Sequence, residues 1–349
     1  MTASSASRLS LYLAGAYTLL AVYGSLYPFS GWTDSGASPS AFLTAGWPRY
    51  TTAFDIAINV AAYVPVGFLW VVALRSKLGW FSPLLALAIG SLLSLSMETL
   101  QNFLPSRVPS NLDLGGNVVG TLLGSVIGIA WGAELLDGGR LHALRHRLFL
   151  SGVTADRGLL LIWLWLLTQF NPETLLFGNG DLHSLAGLAA PLPYSAETFF
   201  HIETAVVAVN TAAIGLILSL LARCNQGRLV LALLVAALAA KSFAFVLIMN
   251  GRDGFAWATD GSLAGLGLGL AVWFVATPLA MPWRRALAAL MLLLATSLVN
   301  LVPENPYLAN TFQTWNPGQF LNFHGLTRLA SNLWPFLALP WLMMLKGEQ

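Results

Sequence analysis

Charge is what this sequence has least of. Only 9% of its 349 residues are Asp, Glu, Lys or Arg, against about a quarter in a soluble domain. It has one cysteine, Cys224, which excludes an intramolecular disulfide and a thiolate metal cluster. The formal net charge of +2 is too small to argue for a nucleic-acid partner. Segments of about ten residues with strict apolar/polar alternation, the mark of a membrane β-barrel, are missing. No polar stretch exceeds about 30 residues, which leaves no room for an extra soluble domain. Neither GxSxG nor HExxH occurs, so the common hydrolase and zinc-protease signatures are absent.

What remains is apolar. Some 56% of residues are hydrophobic, and the mean hydropathy is +0.70. Runs of about 20 apolar residues, each long enough for a hydrocarbon core of about 30 Å, recur along the chain. The fold class expected is an all-α polytopic integral membrane protein with about ten transmembrane helices. The spans are placed near 9–27, 55–74, 81–99, 114–133, 158–176, 203–222, 229–249, 260–280, 285–302 and 325–345. The first is longer than the apolar part of a signal peptide and lacks a small-residue cleavage pattern, so it is read as a retained span.

Basic residues orient the spans. With the N-terminus in the cytoplasm, the inner side holds Arg8, Arg75, Lys77, Arg140, Arg145, Arg147, Arg157, Arg223, Arg228, Arg284, Arg285 and Lys346. The outer side holds Arg49, Arg107 and Arg252. This bias predicts a membrane protein with both termini cytoplasmic. The outer stretches 28–54 and 177–202 are rich in Gly, Pro, Ser and aromatics. The basic stretch 134–157 reads as a linker between halves.

The halves echo each other. Asp55, Gly67 and Arg75 have counterparts 148 residues later in Glu203, Gly215 and Arg223; Asp113 and Gly120 have counterparts 147 later in Asp260 and Gly267. An even number of spans per copy makes this a parallel internal repeat. Three domains are expected: a four-span unit over 1–140, a degenerate second unit over 141–282, and a two-span extension over 283–349. The repeat of "FHIET" (200–204) as "FHGLT" (323–327) makes that extension a candidate partial third copy.

The scarce polar residues of the first unit fall at one depth. On this topology Asp55, Asn59, Glu98, Gln101, Arg107, Asp113 and Asn117 all reach the outer boundary. Ionisable groups there are costly unless paired or facing a wet cavity, which makes them ligand-site candidates. A structural reading stands beside this one. Asp55 and Asp113 can cap helix N-termini, and Asn59 and Asn117 can bond across helices. Glu98 lies at the C-terminal end of its helix, where the dipole disfavours an anion, so capping its own helix does not explain it. Gly116, Gly120, Gly124 and Gly128 recur every fourth residue and read as a packing face. Pro65 and Gly67 are expected to bend or thin the second span.

The pattern Asp55-x3-Asn59-x5-Pro65-x-Gly67, then Glu98-x2-Gln101-x5-Arg107-x5-Asp113-x3-Asn117-x2-Gly120-x3-Gly124, resembles the VanZ-like family of small bacterial membrane proteins over about residues 9–133. Where the family frequently has an acidic residue three after the arginine, this chain has Ser110. The resemblance implies a helical fold and a cell-envelope context, the founding member being linked to low-level teicoplanin resistance. It implies no reaction.

In the second unit the position of Glu98 is Phe245 and that of Asn117 is Ala264. Secondary candidates are His201, Glu203, Lys241, Arg252 and Asp260, with Glu203 the expected partner of Lys241. His201, His324 and Arg328 lie near the same rim. Their spacing matches no metal signature, and no cofactor or metal is expected. Three function classes stay open. The first is an envelope protein whose outer polar pocket binds or protects an envelope or polysaccharide precursor or a lipid headgroup. The second is a membrane enzyme on a lipid-linked substrate with Glu98 as general base. The third is a transporter or flippase. Membrane lipids are expected partners, and the oligomeric state is open.

Overall fold

The computed structural model describes residues 9–34, 36, 38–47, 52–132, 140–186, 188, 191–248, 253–303 and 321–345. Among them the chain is all-helical, with no strand beyond a single bridge between Phe149 and Ala222. Arg252 and Lys346 lie outside the described residues, as does the side chain of His324.

Six apolar helical segments are long and apolar enough to cross a membrane, and the chain is a multi-pass membrane protein. One of these, Asp55–Gln101, has 47 residues. As a straight helix it would measure about 70 Å, more than twice the hydrocarbon thickness. It doubles back instead. Helix α3 (Ala53–Leu78) ends at Gly79, whose φ of +54° suits glycine, and a short 3-10 turn (Gly79–Phe81) leads into α4 (Ser82–Gln101). Gly67 and Gly90, on either side of this turn, both lie against Thr121. Each of the ten segments expected from the sequence overlaps a helix, but the fifth, 158–176, does so only over 158–168, because its helix begins at Val153 and ends at Thr168. Ten crossings remain an expectation, since several of these helices fall outside the six.

The chain divides into two compact units: Met1–Arg147 with Gln319–Leu326, and Leu148–Gly318 with Thr327–Gln349. Most of the stretch expected as a separate extension, 283–349, therefore falls within the second unit.

The first unit is a bundle of α1 (Leu9–Leu26), α3, α4 and α5 (Asn111–Gly132), with the short α2 (Ala41–Thr44) before α3 and α6 (Arg140–Leu148) at its end. Helix α5 presents small residues inward and large ones outward. Gly116, Gly120, Thr121, Gly124, Ser125 and Gly128 are buried, while Val119, Leu122, Leu123, Val126 and Ile129 are exposed. That inversion suits a helix whose outer face meets lipid and whose inner face meets backbone. A Cβ on Gly120 would overlap the Val60 carbonyl, and one on Gly124 the Val64 carbonyl. Helices α3 and α5 thus touch main chain to main chain. Helix α3 runs unbroken through Pro65. The Tyr17 hydroxyl donates to the Ala62 carbonyl at 2.9 Å and Trp70 Nε1 to Thr18 Oγ1 at 3.0 Å, tying α1 to it.

The second unit is built around α9 (Ala196–Leu221), buried almost all round from Val206 to Leu221. Around it stand α7 (Val153–Thr168), α10 (Gln226–Ile248), α11 (Asp260–Ala276) and α12 (Met281–Val299). The short α8 (Leu182–Ala186) precedes it, and α13 (Leu321–Met344) closes the unit from Thr327 onward. Trp334 Nε1 donates to the Leu161 carbonyl and Trp341 Nε1 to the Thr154 carbonyl, both at 2.8 Å, fastening α13 to α7. The glycines of α11 that pack against α9 are Gly265, under the Thr204 carbonyl, and Gly269, under the Ala208 carbonyl. Gly267, matched to Gly120 in the sequence, meets nothing within 4 Å. That correspondence does not carry over to packing, because two residues along a helix is half a turn and the opposite face.

Candidate functional site

The polar residues of the first unit collect at one end of the bundle, where α3 and α5 begin and α4 ends. Asp55 closes a capping box: its Oδ2 accepts from the Thr52 N–H at 2.8 Å and from Thr52 Oγ1 at 2.7 Å, and Thr52 Oγ1 accepts from the Asp55 N–H at 3.2 Å. The capping role left open by the sequence is therefore the geometry of Asp55. Asp113 lies in the first turn of α5, and its Oδ1 accepts from Asn59 Nδ2 on α3 at 2.7 Å. This bond crosses between helices and joins two of the expected residues directly.

Glu98, 3% exposed, accepts from the Ser110 backbone N–H through Oε2 at 2.8 Å. Ser110 directly precedes α5, and its hydroxyl accepts from the N–H groups of Leu112 and Asp113. Capping therefore does account for part of Glu98's position, contrary to the expectation from its own helix. Glu98 does not cap its own helix, but it accepts from the chain at the positive end of the next one. Glu98 and Asp113 repel each other, as do Asp113 and Asp55, so three carboxylates share this end.

Gln101 Nε2 donates to the Ser25 carbonyl at 2.9 Å, and the Arg107 guanidinium to the Tyr27 carbonyl at 2.7 Å. Both fasten the end of α1 to the hairpin. Arg107 lies in the loop between α4 and α5, and burial lowers its pKa from the ordinary arginine value.

Beneath this first layer the spacing of four repeats on all three helices. Four residues on from Asn59 is Tyr63, four before Glu98 is Ser94, and four on from Asp113 is Asn117. Asn117 Nδ2 donates to Ser94 Oγ at 2.9 Å. The Tyr63 hydroxyl lies beside Ser94 and, with Asn117 Oδ1, completes no hydrogen bond among the described residues. All three residues are buried. One further step of four gives Gly67, Gly90 and Thr121. The Thr121 side chain fills the space over Gly90, and its hydroxyl donates to the Asn117 carbonyl at 2.9 Å.

Tyr63, Ser94 and Thr121 were not singled out from the sequence. A signal existed: each continues, at a spacing of four, a stripe already marked by Asn59, Glu98 or Asn117. Tyr, Ser and Thr are common in apolar helices, so only the coincidence of three stripes distinguishes them.

Among the described residues of the second unit, Glu203 and Lys241 make separate contacts. Glu203 is buried and accepts from Ser262 Oγ at 3.0 Å. Lys241, 1% exposed, does not pair with Glu203. Its ammonium donates to the Asn171 carbonyl at 2.6 Å, the Thr174 carbonyl at 2.7 Å and Thr174 Oγ1 at 3.2 Å. The expected ion pair is replaced by backbone acceptors of the segment after α7, which supply partial negative charge without bringing a second ion out of water. His201 and Asp260 are exposed, His201 edge-on to Phe200.

Neither a curated protein nor a solved structure gives a match to this chain. Residues 7–132 match the VanZ/LLP1 family model. That span holds α1, α3, α4 and α5 and all seven first-unit residues expected from the sequence. Over residues 7–132, then, the chain is similar to the VanZ/LLP1 family, and the match spans about a third of its length.

Proposed function

We propose that this is a cell-envelope protein of a bacterial cytoplasmic membrane. In this reading the polar end of the first unit faces outward and binds or protects the head of an envelope precursor or lipid. The observation that carries it is the meeting of Asn59, Glu98 and Asp113 above two unsatisfied buried groups, Tyr63 Oη and Asn117 Oδ1. Buried polar groups are seldom left unpaired in a finished core. The Glu98 and Asp113 carboxylates above them favour a ligand rich in donors, such as sugar hydroxyls, amides or amino groups. Arg107 gives one N–H to the Tyr27 carbonyl and holds the rim. The family resemblance supplies the envelope context, including glycopeptide resistance.

Glu98→Gln and Asp113→Asn test this. Each keeps an acceptor oxygen for its present partner and removes only the charge. In a strain lacking the chromosomal copy, both variants accumulate to the normal level, yet fail to restore glycopeptide tolerance or growth under envelope stress. Full complementation by both would overturn the proposal.

A further inference from the structure

One end of the second unit is rich in arginine. Four stretches meet there: 148–157, 221–230, 277–287 and 340–345. The Arg223 N–H donates to the Leu148 carbonyl at 2.7 Å and the Leu150 N–H to the Leu221 carbonyl at 2.9 Å, which joins the first two. Trp341 Nε1 joins the first to the last through the Thr154 carbonyl. Arg284 Nη1 donates to Gln226 Oε1 at 3.2 Å, and the Arg285 guanidinium donates to the Leu345 carbonyl. Together these stretches hold five arginines, Arg157, Arg223, Arg228, Arg284 and Arg285, and a single carboxylate, Asp156. Asp156 is 1% exposed, so within these stretches no acid reaches the surface.

The charge of Arg284 and Arg285 is poorly compensated. Arg284 stands in the first turn of α12 and Arg285 follows it, and that turn contains no acidic residue. A cation there opposes the helix dipole. The hydrogen bonds of the two side chains go to an amide oxygen and a backbone carbonyl, both neutral. A guanidinium has five N–H groups, and the Arg284 Nε is buried without an acceptor among the described residues. A buried donor in that state marks a place where an acceptor is missing. Arg228, two residues past Gln226 at the start of α10, is exposed. Arg157 and Arg223 are engaged within the chain and contribute field, not contacts. The neighbouring apolar side chains point outward: Trp283 is 70% exposed and Leu279, just before α12, is also exposed. On a membrane protein such residues sit at the headgroup boundary.

We propose that this end docks an anionic phospholipid, its phosphate against Arg284 and Arg285 and its glycerol and upper acyl chains against Trp283 and Leu279. The phosphate supplies the acceptor that the Arg284 Nε–H lacks, in a charge-assisted bond. It also supplies the negative charge absent from the start of α12, and Arg228 adds attraction from the start of α10. A headgroup of net negative charge is preferred to a zwitterionic one, because an ammonium finds no exposed carboxylate in these stretches. Basic pockets between transmembrane helices take such headgroups. The exposed indole makes a lipid the occupant in place of a soluble anion. This site stands apart from the reading of the first unit and lies outside the residues matched to the family.

The test uses the full-length chain in detergent. Native mass spectrometry and thermal unfolding compare phosphatidylglycerol, phosphatidylethanolamine, phosphatidylcholine and glycerol phosphate. Phosphatidylglycerol is retained and stabilises saturably, about tenfold or more tighter than either zwitterionic lipid, and added salt weakens it. Arg284→Gln combined with Arg285→Gln weakens phosphatidylglycerol by about tenfold or more. Lys77→Gln, which removes an exposed positive charge from the first unit, leaves binding within about twofold. Phosphatidylglycerol held no tighter than phosphatidylcholine overturns the proposal, as does an unchanged affinity in the double variant. Equal binding of glycerol phosphate and the lipid overturns it in favour of a soluble anion. A loss in Lys77→Gln equal to that in the double variant overturns it in favour of diffuse surface charge. The ranking of lipids on the unmodified chain decides even if the double variant fails to fold.

Discussion

Replacing Glu98 in two different ways separates its fold role from its ligand role. Glu98→Gln preserves an oxygen for the Ser110 N–H, now 2.8 Å from the carboxylate. Glu98→Leu keeps the bulk and removes the acceptor. Because Glu98 is only 3% exposed, water does not readily replace it, and the Ser110 N–H is left buried and unpaired. That costs about 1–3 kcal/mol. The glutamine loses the charge-assisted part of one bond but also the repulsion from Asp113, and these offset each other. The expected order is wild type close to Glu98→Gln, with Glu98→Leu lower by about 1–3 kcal/mol. At about 2–4 °C per kcal/mol for a unit of this size, this amounts to roughly 2–12 °C. Thermal unfolding in detergent, followed by size-exclusion chromatography, reads the difference. A leucine variant as stable as the glutamine variant would refute the view that the Ser110 bond is Glu98's structural contribution.

Three further outcomes follow from the same geometry. Gly124→Leu destabilises the first unit by 2 kcal/mol or more, at about the upper range for overpacking, because its Cβ meets the Val64 carbonyl; Gly115→Ala, with open space, is neutral or stabilising by up to about 1 kcal/mol, and detergent melting curves compare the two. Tyr63→Phe removes a hydroxyl with no hydrogen-bond partner among the described residues, so stability holds or rises, whereas Ser94→Ala strips the acceptor from Asn117 Nδ2 and costs about 1–3 kcal/mol; a Tyr63→Phe variant that melts clearly lower than wild type contradicts the assignment. Lys241→Met leaves the Asn171 and Thr174 carbonyls without their ammonium donor, so hydrogen exchange accelerates in the loop 169–182 and not in α3 or α5.

Much of this arrangement is legible in the sequence, and the limits are physical. Hydropathy places every long helix because each must satisfy its own backbone in lipid. The glycine stripe of α5 is read correctly because close approach has one common cause. The bond between Asn59 and Asp113 is half legible: the residues stand out, but which amide meets which carboxylate depends on helix rotation. The partners of Glu98 and Lys241 are backbone groups, and every residue carries those, so no letter in the sequence marks them. Gly267 is misassigned because a sequence offset averages over loops, while packing responds to a shift of two residues.

The spacing of four on three helices also sets a depth. From Asp113 to Thr121 is eight residues, or about 12 Å along the axis, against a hydrocarbon core of about 30 Å. On these three helices the polar layers cover less than half of that thickness, and below them Thr121 fills the space over Gly90. The layered residues by themselves therefore make no continuous polar path from one face of the hydrocarbon core to the other.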